Sequence, residues 1–134
     1  MIQEDKQLLL KDLCGRLPYG VIGLYSWKNH EPYNRELTGL LFDELKSSWD
    51  STEDSKFLPY LRQMSSITKE EEQEYRSLCG MQFADELADA NTTIYYFDTI
   101  ESFDWLNKNM FDCRGLISKG LAIEVTEKDN PYKD

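Results

Sequence analysis

The apolar positions of the first 27 residues follow helical spacing and then the composition of a strand. Leucines cluster within 3–14 on one helical face, and Gly15 and Pro18 follow where such a helix would end. Residues 18–27 place β-branched and aromatic side chains between glycines, which is typical of a strand. The pattern predicts an N-terminal helix packed on a small sheet.

Two interpretations are open for residues 37–45. Leu37, Leu41 and Leu45 recur every four residues, as in a short helix, whereas the apolar composition also suits a second strand. We prefer the strand, and we expect a polar loop at 47–55 after it.

Residues 56–62 form a short apolar and aromatic segment that contains Pro59. Because proline has no N–H to donate to a neighbouring strand, the segment is predicted to be an edge strand or the end of one. The first half of the chain is therefore predicted to form a small antiparallel sheet against the N-terminal helix.

The spacing of apolar residues becomes helical in the middle of the chain. Thr68 and Glu71 have the separation of a capping box, in which the threonine oxygen accepts from an early N–H and the glutamate reaches back. The glutamates 70–72 lie in the first turn, where the helix dipole favours negative charge. We predict a helix over 69–89 that Gly80 interrupts or weakens, with one apolar stripe formed by Tyr75, Leu78, Cys79, Phe83 and Leu87.

A turn and a short strand over 91–97 precede another predicted helix, over 99–109. Asp98 and Glu101 have the separation of a second N-terminal box. Four apolar side chains of this helix are expected to face inward, namely Ile100, Phe103, Leu106 and Met110.

The C-terminal segment is predicted to begin with a short helix over 113–119, capped by Asp112. Residues 121–125 have the composition of a strand. The polar tail is expected to fray from about residue 126.

Residues 1–134 are predicted to form one α+β domain, with a small antiparallel sheet and a helix in the first half and helices concentrated in the second. The three cysteines are widely spaced and odd in number, so we expect small buried thiols and no disulfide framework. No segment has the pattern of a signal peptide or the length of a membrane span, so we expect a cytoplasmic protein without membrane association.

The net charge of −10 is concentrated in one quarter of the chain. Residues 70–104 contain ten acidic residues and one base, Arg76, whereas the segments on either side are close to neutral. A negative field repels phosphate backbones, so direct binding to nucleic acid is not expected. The region suits a basic protein as partner.

The motifs of familiar catalytic and metal sites do not occur in the sequence. His30 is the only histidine and lies in a predicted exposed turn, which argues against catalytic triads and zinc sites. No glycine-rich phosphate loop or calcium loop is present. We therefore predict no catalytic residue, cofactor or metal ligand, and paired carboxylates for acid–base chemistry stay open.

Three segments share a pattern with other proteins. They are RLPYGV (16–21), FLPYLRQMSSITKEEEQEY (57–75) and YFDTIESFDWLNKNMFDCRGLISKGLAIE (96–124), about 40% of the chain. Together they resemble a family of small uncharacterised proteins of gut anaerobic bacteria, although Gln63 stands where that pattern has a second proline. Such proteins often lie in phage-like or mobile-element neighbourhoods. The resemblance implies an accessory role of that origin and implies no catalytic residue.

The acidic region supplies the candidate partner surface. We predict that it includes Glu74, Asp85, Glu86, Asp89, Asp104 and Trp105. The first hypothesis is a non-enzymatic interaction protein, whose acidic region binds a basic partner and in one version occupies its nucleic-acid-binding groove. A small carboxylate-using hydrolase and a homo-oligomeric structural component are the alternatives.

Two residues have two interpretations each. Trp105 is either an exposed interface anchor or a core residue, and core packing is slightly favoured. Arg62 is either a contact residue for a partner or the partner of a carboxylate within the chain, and the second is favoured.

Overall fold

The computed structural model describes residues 2–51, 55–83 and 94–133. Within those ranges, the chain has the predicted α+β class, with helices packed on a four-stranded sheet and a separate two-stranded sheet. The helices are α1 (Gln3–Arg16), α2 (Gly39–Ser51), α3 (Lys69–Leu78) and α4 (Ile100–Lys108). The strands are β1 (Ile22–Trp27), β2 (Tyr33–Glu36), β3 (Ser55–Leu61), β4 (Gly80–Phe83), β5 (Ile94–Phe97) and β6 (Ile123–Glu124).

The larger sheet has the strand order β2-β1-β3-β6. Its first three strands are antiparallel and come from the first half of the chain, as predicted, whereas β6 pairs in parallel with β3. The pairing with β6 involves Tyr60 and Leu61 and begins only after Pro59. This placement suits a residue that has no N–H to donate along that edge.

Residues 39–51 form a helix, so the preference for a strand at 37–45 is wrong and the helical alternative is confirmed. Thr38 caps the helix by accepting from the Leu41 N–H at 3.1 Å. Leu41, Leu45 and Trp49 follow at spacings of four and are buried.

The prediction of a polar loop over 47–55 is also wrong for residues 47–51, because α2 continues to Ser51. Two of the described helices therefore precede residue 52 and two follow residue 68, so the helices are not concentrated in the second half. The sequence around Trp49 is polar, but the large Trp49 ring is buried in the core. Burial of this ring fixes which face of the helix packs against the core.

The main core lies between α1, α2 and the larger sheet. Its fully buried side chains include Leu9 and Leu13 from α1 and Phe57 and Leu61 from β3. The leucine pattern of the N-terminal helix is therefore confirmed as a packing face.

A cluster of buried charges joins α1 to the C-terminal part of the chain. Asp12 and Arg16 have no exposed side-chain surface and form a bidentate pair, with Nε–Oδ2 and Nη2–Oδ1 distances of 2.8 and 2.9 Å. Arg114 donates to the same carboxylate at 2.7 Å, and Arg16 Nη2 donates to the Phe111 carbonyl at 2.6 Å. The Arg16 Nη1 atom has no hydrogen-bond partner among the described residues. One carboxylate thus balances two guanidinium groups inside the protein.

Replacing Asp12 with asparagine leaves the buried Arg16 and the partly buried Arg114 without their counterion. We expect Asp12→Asn to lower the free energy of unfolding by about 3–5 kcal/mol, or to prevent folding. Glu4→Gln, an exposed change on the same helix, should cost less than about 1 kcal/mol. Urea denaturation of the two variants measures the difference, and equal midpoints would contradict this assignment.

The helix α3 ends at Leu78, so the prediction of a helix over 69–89 is wrong for residues 79–83, and 84–89 lie outside the described residues. Cys79 has extended backbone angles, and Gly80 starts β4. A Cβ at residue 80 would overlap the ring of Phe97 on the paired strand. Glycine at residue 80 thus lets the Phe97 ring pack across the strand pair, and any larger residue would displace that ring.

The helix α4 begins one residue later than its predicted box implies. Thr99 accepts from the Ser102 N–H at 3.1 Å, and the Ser102 hydroxyl accepts from the Thr99 N–H at 2.7 Å. Asp98 and Glu101 are therefore not the capping pair. Ile100 is 79% exposed, contrary to its predicted inward position, whereas Leu106 is buried.

Residues 113–119 form turns, so the short helix predicted there is wrong. Asp112 still organises the segment, because its two carboxylate oxygens accept from the N–H groups of Leu116 and Ile117 at 2.8 and 3.0 Å. A strand then forms at β6, within the predicted range 121–125.

The C-terminal tail is bound to the sheet, which corrects the prediction that it frays from about residue 126. The Tyr132 hydroxyl accepts from the Ile22 N–H at 2.9 Å and lies within hydrogen-bond distance of the Ile22 and Tyr60 carbonyls, at 3.1 and 2.9 Å. Burial raises the pKa of Tyr132 to about 12, so the hydroxyl remains a proton donor at neutral pH. One side chain thereby ties the tail to β1 and β3.

We expect Tyr132→Phe to lower the free energy of unfolding by about 1–3 kcal/mol, because backbone groups of β1 and β3 lose a buried partner. Tyr33→Phe is the matched control, since the exposed Tyr33 hydroxyl has no hydrogen-bond partner among the described residues. Denaturant unfolding measures both changes, and a Tyr132→Phe value as small as the control would show that the hydroxyl's hydrogen bonds contribute nothing.

Candidate functional site

The start of α3 contains three consecutive glutamates, at residues 70–72. Its predicted capping box is confirmed: Thr68 accepts from the Glu71 N–H at 3.1 Å, and Glu71 accepts from the Thr68 N–H at 3.0 Å. Arg62, beyond the end of β3, donates to both oxygens of Glu71 at 2.7 and 2.8 Å. The preferred interpretation of Arg62, that it pairs with a carboxylate within the chain, is confirmed.

Two of the three consecutive glutamates are therefore occupied within the protein. Glu71 pairs with Arg62, and Glu72 pairs with Arg76 at 2.7 Å. The Arg62 hydrogen bonds hold the pKa of Glu71 at about 2, well below its usual value. A carboxylate held so firmly in its charged form is a structural anchor of the helix and is poorly suited to proton transfer.

Trp105 is 7% exposed, which contradicts its assignment to the candidate partner surface and confirms the core alternative. Its ring lies between Tyr75 and Phe111, with both centroid distances at 5.6 Å. Arg62 completes the stack from the far side, 4.2 Å from the Phe111 ring centre. The aromatic column joins α3 to α4, and it accounts for the burial of the tryptophan.

The other predicted surface residues divide into two groups. Glu74 and Asp104 are exposed and lie on α3 and α4. Asp85, Glu86 and Asp89 lie outside the described residues.

Exposed apolar side chains occur in the same part of the sequence as the described acidic residues. They are Met81, Tyr96, Phe97 and Ile100, and they are between 46% and 79% exposed. Met81 is paired with Tyr96 across the smaller sheet. Phe97 is the last residue of β5, and Asp98 and Thr99 connect it to Ile100 at the start of α4. A shallow depression of about 360 Å³ continues this surface and is lined by Asp98, Thr99, Ile100, Phe103 and Asp104.

We call this region the acidic–apolar surface and define it by Glu74, Met81, Tyr96, Phe97, Asp98, Ile100, Glu101 and Asp104. It includes both faces of β5, because Tyr96 and Phe97 are consecutive in that strand, and the Arg76 guanidinium lies 5.2 Å from the Tyr96 ring centre. The four acids of this surface have no ion-pair partner among the described residues, unlike Glu71 and Glu72. Asp98 accepts hydrogen bonds from the hydroxyls of Tyr75 and Ser102, which fix its position but leave its charge unbalanced. Negative charge therefore remains available to a partner here.

The apolar part of this surface was not predicted from the sequence. Residues 80–83 were assigned to a helix, which hid the pairing of Met81 with Tyr96. The run of Tyr95, Tyr96 and Phe97 was a signal, because consecutive aromatic residues in a strand point to both faces and an isolated two-stranded sheet does not bury both.

The three cysteines are free thiols. Cys14 is exposed, so the expectation of a buried thiol is wrong there, and Cys79 and Cys113 are half-buried. Burial raises the pKa of Cys113, although the guanidinium groups of Arg16 and Arg114 act in the opposite direction. The Cys113 thiol is therefore protonated at neutral pH and is not an activated nucleophile.

The carboxylates in the interior of the described chain already have partners. Asp12 pairs with two arginines, and Asp112 binds backbone N–H groups. Neither carboxylate faces an open pocket, which is where the hydrolase alternative requires its acids.

His30 lies in the exposed turn predicted for it, with its ring centre 4.5 Å from that of Trp27. Among the described residues, no three side chains of the metal-binding types are grouped closely enough to hold an ion.

Comparison of the chain with protein-family models, with curated proteins and with solved structures finds no match. None of the described helices is both long enough and apolar enough to cross a membrane.

The pKa of Glu71 predicts how stability changes in acid. Because its folded pKa of about 2 lies below the unfolded value of 4.5, this stabilisation is complete above pH 4.5 and is lost as the pH falls towards 2. Since the pair is partly exposed, we expect its loss to cost about 1–2 kcal/mol.

The two neighbouring glutamates provide a matched test. Glu71→Gln should be less stable than the parent at pH 7 and should lose less stability between pH 4.5 and 2. Glu72→Gln, which breaks an exposed pair with Arg76, should differ from the parent by less than about 0.5 kcal/mol. Urea titrations across this pH range measure both, and identical pH profiles of the parent and Glu71→Gln would contradict the prediction.

Proposed function

We propose that this protein is a non-enzymatic interaction protein that binds a basic protein partner through the acidic–apolar surface. The observation that carries the proposal is that exposed apolar side chains, Ile100 above all, lie among acids without ion-pair partners in the described chain. Apolar contacts supply most of the free energy of a protein interface, and complementary charge supplies the rate and selectivity of association.

The placement of charge supports a surface centred on β5 and the start of α4, and argues against one centred on the consecutive glutamates. Glu71 and Glu72 are neutralised by arginines of the same chain, so they add little to the outward field. Glu74, Asp98, Glu101 and Asp104 have no such neutralising partner within the described residues. A basic segment with an apolar residue for the depression near Ile100 is the partner that this chemistry suits.

The biological context is proposed from the sequence resemblance. Residues 16–21, 57–75 and 96–124 resemble proteins of phage-like or mobile-element neighbourhoods, which suggests an accessory role of that kind. Many accessory proteins act by binding another protein, so the context agrees with the proposed surface.

The salt dependence of binding tests the proposal. A partner captured on the immobilised protein should bind more weakly as sodium chloride is raised from about 0.05 to 0.5 M, because opposite charges across an interface are screened. Glu74→Gln/Asp104→Asn should weaken binding about fivefold to tenfold at low salt and should flatten this dependence. Glu4→Gln/Glu127→Gln removes the same charge from exposed positions elsewhere and should change the affinity less than twofold.

The apolar component is tested separately with Ile100→Ser. The side chain is 79% exposed, so the substitution should leave the unfolding midpoint nearly unchanged while weakening partner binding at every salt concentration. An affinity that is independent of salt, or an equal response of the two double variants, would exclude this surface as the site of a basic partner.

A further inference from the structure

A second region with a different chemistry lies at the C-terminal end of the larger sheet. It is a cavity of about 340 Å³, near the lower end of the roughly 300–1,000 Å³ range of small-molecule sites. Its polar lining consists of Tyr19, Arg62, Lys108, Asn109, Asn130 and Tyr132. The cavity exists because the tail is bound by the Tyr132 hydroxyl and forms one of its walls.

The charge of this lining is opposite to that of the whole chain. The protein has 25 acidic and 15 basic residues, yet two bases and no acid line the cavity. The charge of Arg62 is largely balanced by Glu71. Lys108 is exposed and has no ion-pair partner among the described residues, so its charge is available to a ligand.

Four polar side-chain groups of the lining lack hydrogen-bond partners within the described chain; one is an acceptor, the Asn109 side-chain oxygen, and the other three are donors. The donors are the Lys108 ammonium, the Tyr19 hydroxyl and the Asn130 amide nitrogen. The side-chain oxygen of Asn130 accepts from the Tyr132 N–H at 3.0 Å. The side-chain nitrogen of Asn130 is therefore left free to donate. A set of unsatisfied donors beside a cation suits a ligand that carries acceptors and negative charge.

The end of α4 does not cancel this preference. A helix C-terminus repels anions through its free carbonyls, but here the carbonyls of Trp105, Leu106 and Asn107 already accept from Asn109, Phe111 and Met110. Of the last four carbonyls of α4, only that of Lys108 has no hydrogen-bond partner among the described residues, and the Lys108 ammonium lies in the same turn.

The remaining lining is apolar. Met110 and Val125 contribute aliphatic surface, and the hydroxyl of Tyr132 is already bound to β1 and β3, so Tyr132 offers its ring. Arg62 and Val125 directly follow the parallel strands β3 and β6. The cavity thus lies beyond the carboxyl ends of parallel strands, a frequent place for ligands in α/β sheets.

We propose that this cavity binds a small organic anion that contains a ring. The Lys108 ammonium, the Tyr19 hydroxyl and the Asn130 amide would hold the anionic group, and Met110, Val125 and the Tyr132 ring would hold the ring. The proposal is independent of the acidic–apolar surface, which involves other residues and a macromolecular partner.

Two dyes of similar apolar structure test it in the full-length protein. 8-Anilino-1-naphthalenesulfonate carries a ring system and an anion, and N-phenyl-1-naphthylamine has the same ring system without the anion. We expect saturable fluorescence enhancement of the anionic dye at one site per chain, with at least fivefold tighter binding than that of the neutral dye.

Lys108→Gln should weaken binding of the anionic dye about fivefold and leave that of the neutral dye nearly unchanged. The matched control is Lys119→Gln, which removes an exposed lysine that does not line the cavity. Tyr19→Ala should weaken both dyes, because it removes a donor and part of the wall. Unfolding midpoints of all variants check that the fold is retained.

Backbone NMR shifts locate the bound dye. Shifts at Tyr19, Asn109 and Asn130 are expected, whereas shifts confined to Met81, Tyr96 and Phe97 would overturn the assignment. Equal weakening by Lys108→Gln and Lys119→Gln, or binding that does not saturate, would also overturn it.

Discussion

The buried pairing of Asp12 with Arg16 and Arg114 is the interaction on which the rest of the structure depends. Arg16 also binds the Phe111 carbonyl, 95 residues away in sequence, so α1 and the segment after α4 are held at one point. The buried Arg16 and the partly buried Arg114 share one carboxylate, and removal of that carboxylate would leave charge in a medium that solvates it poorly. This constraint places Phe111, against whose ring Trp105 then packs.

A second joint, between Arg62 and Glu71, carries the constraint on to α3. Arg62 directly follows β3, and its guanidinium lies over the Phe111 ring and binds Glu71 in the first turn of α3. One side chain therefore links the sheet, the core and the helix. The acidic start of α3 is for this reason mainly structural. The charge that reaches solvent without a counterion lies further along, at Glu74 and around β5 and α4, which is where a basic partner would be attracted.

The two proposed sites differ in how far the sequence could predict them. The excess of acids over 70–104 is visible in the sequence, and Glu74 and Asp104 are exposed as that pattern implied. The cavity beside Lys108 was not visible, because its walls come from four distant segments and need the bound tail. Trp105 shows the same limit: an aromatic residue on an amphipathic helix has no local mark that distinguishes interface from core.

The sequence by itself determined the elements whose information lies within about four residues: α1, β1, the Thr68–Glu71 cap and the uneven distribution of charge. Helical spacing, turn residues and caps act between near neighbours, so a local pattern is enough for them. Tertiary structure alone decided the burial of Asp12 and Arg16, the strand that starts at Gly80, and the attachment of the tail by Tyr132. Each of these depends on a partner at least 11 residues away, and the free energy of such contacts appears only once the chain has brought both partners together.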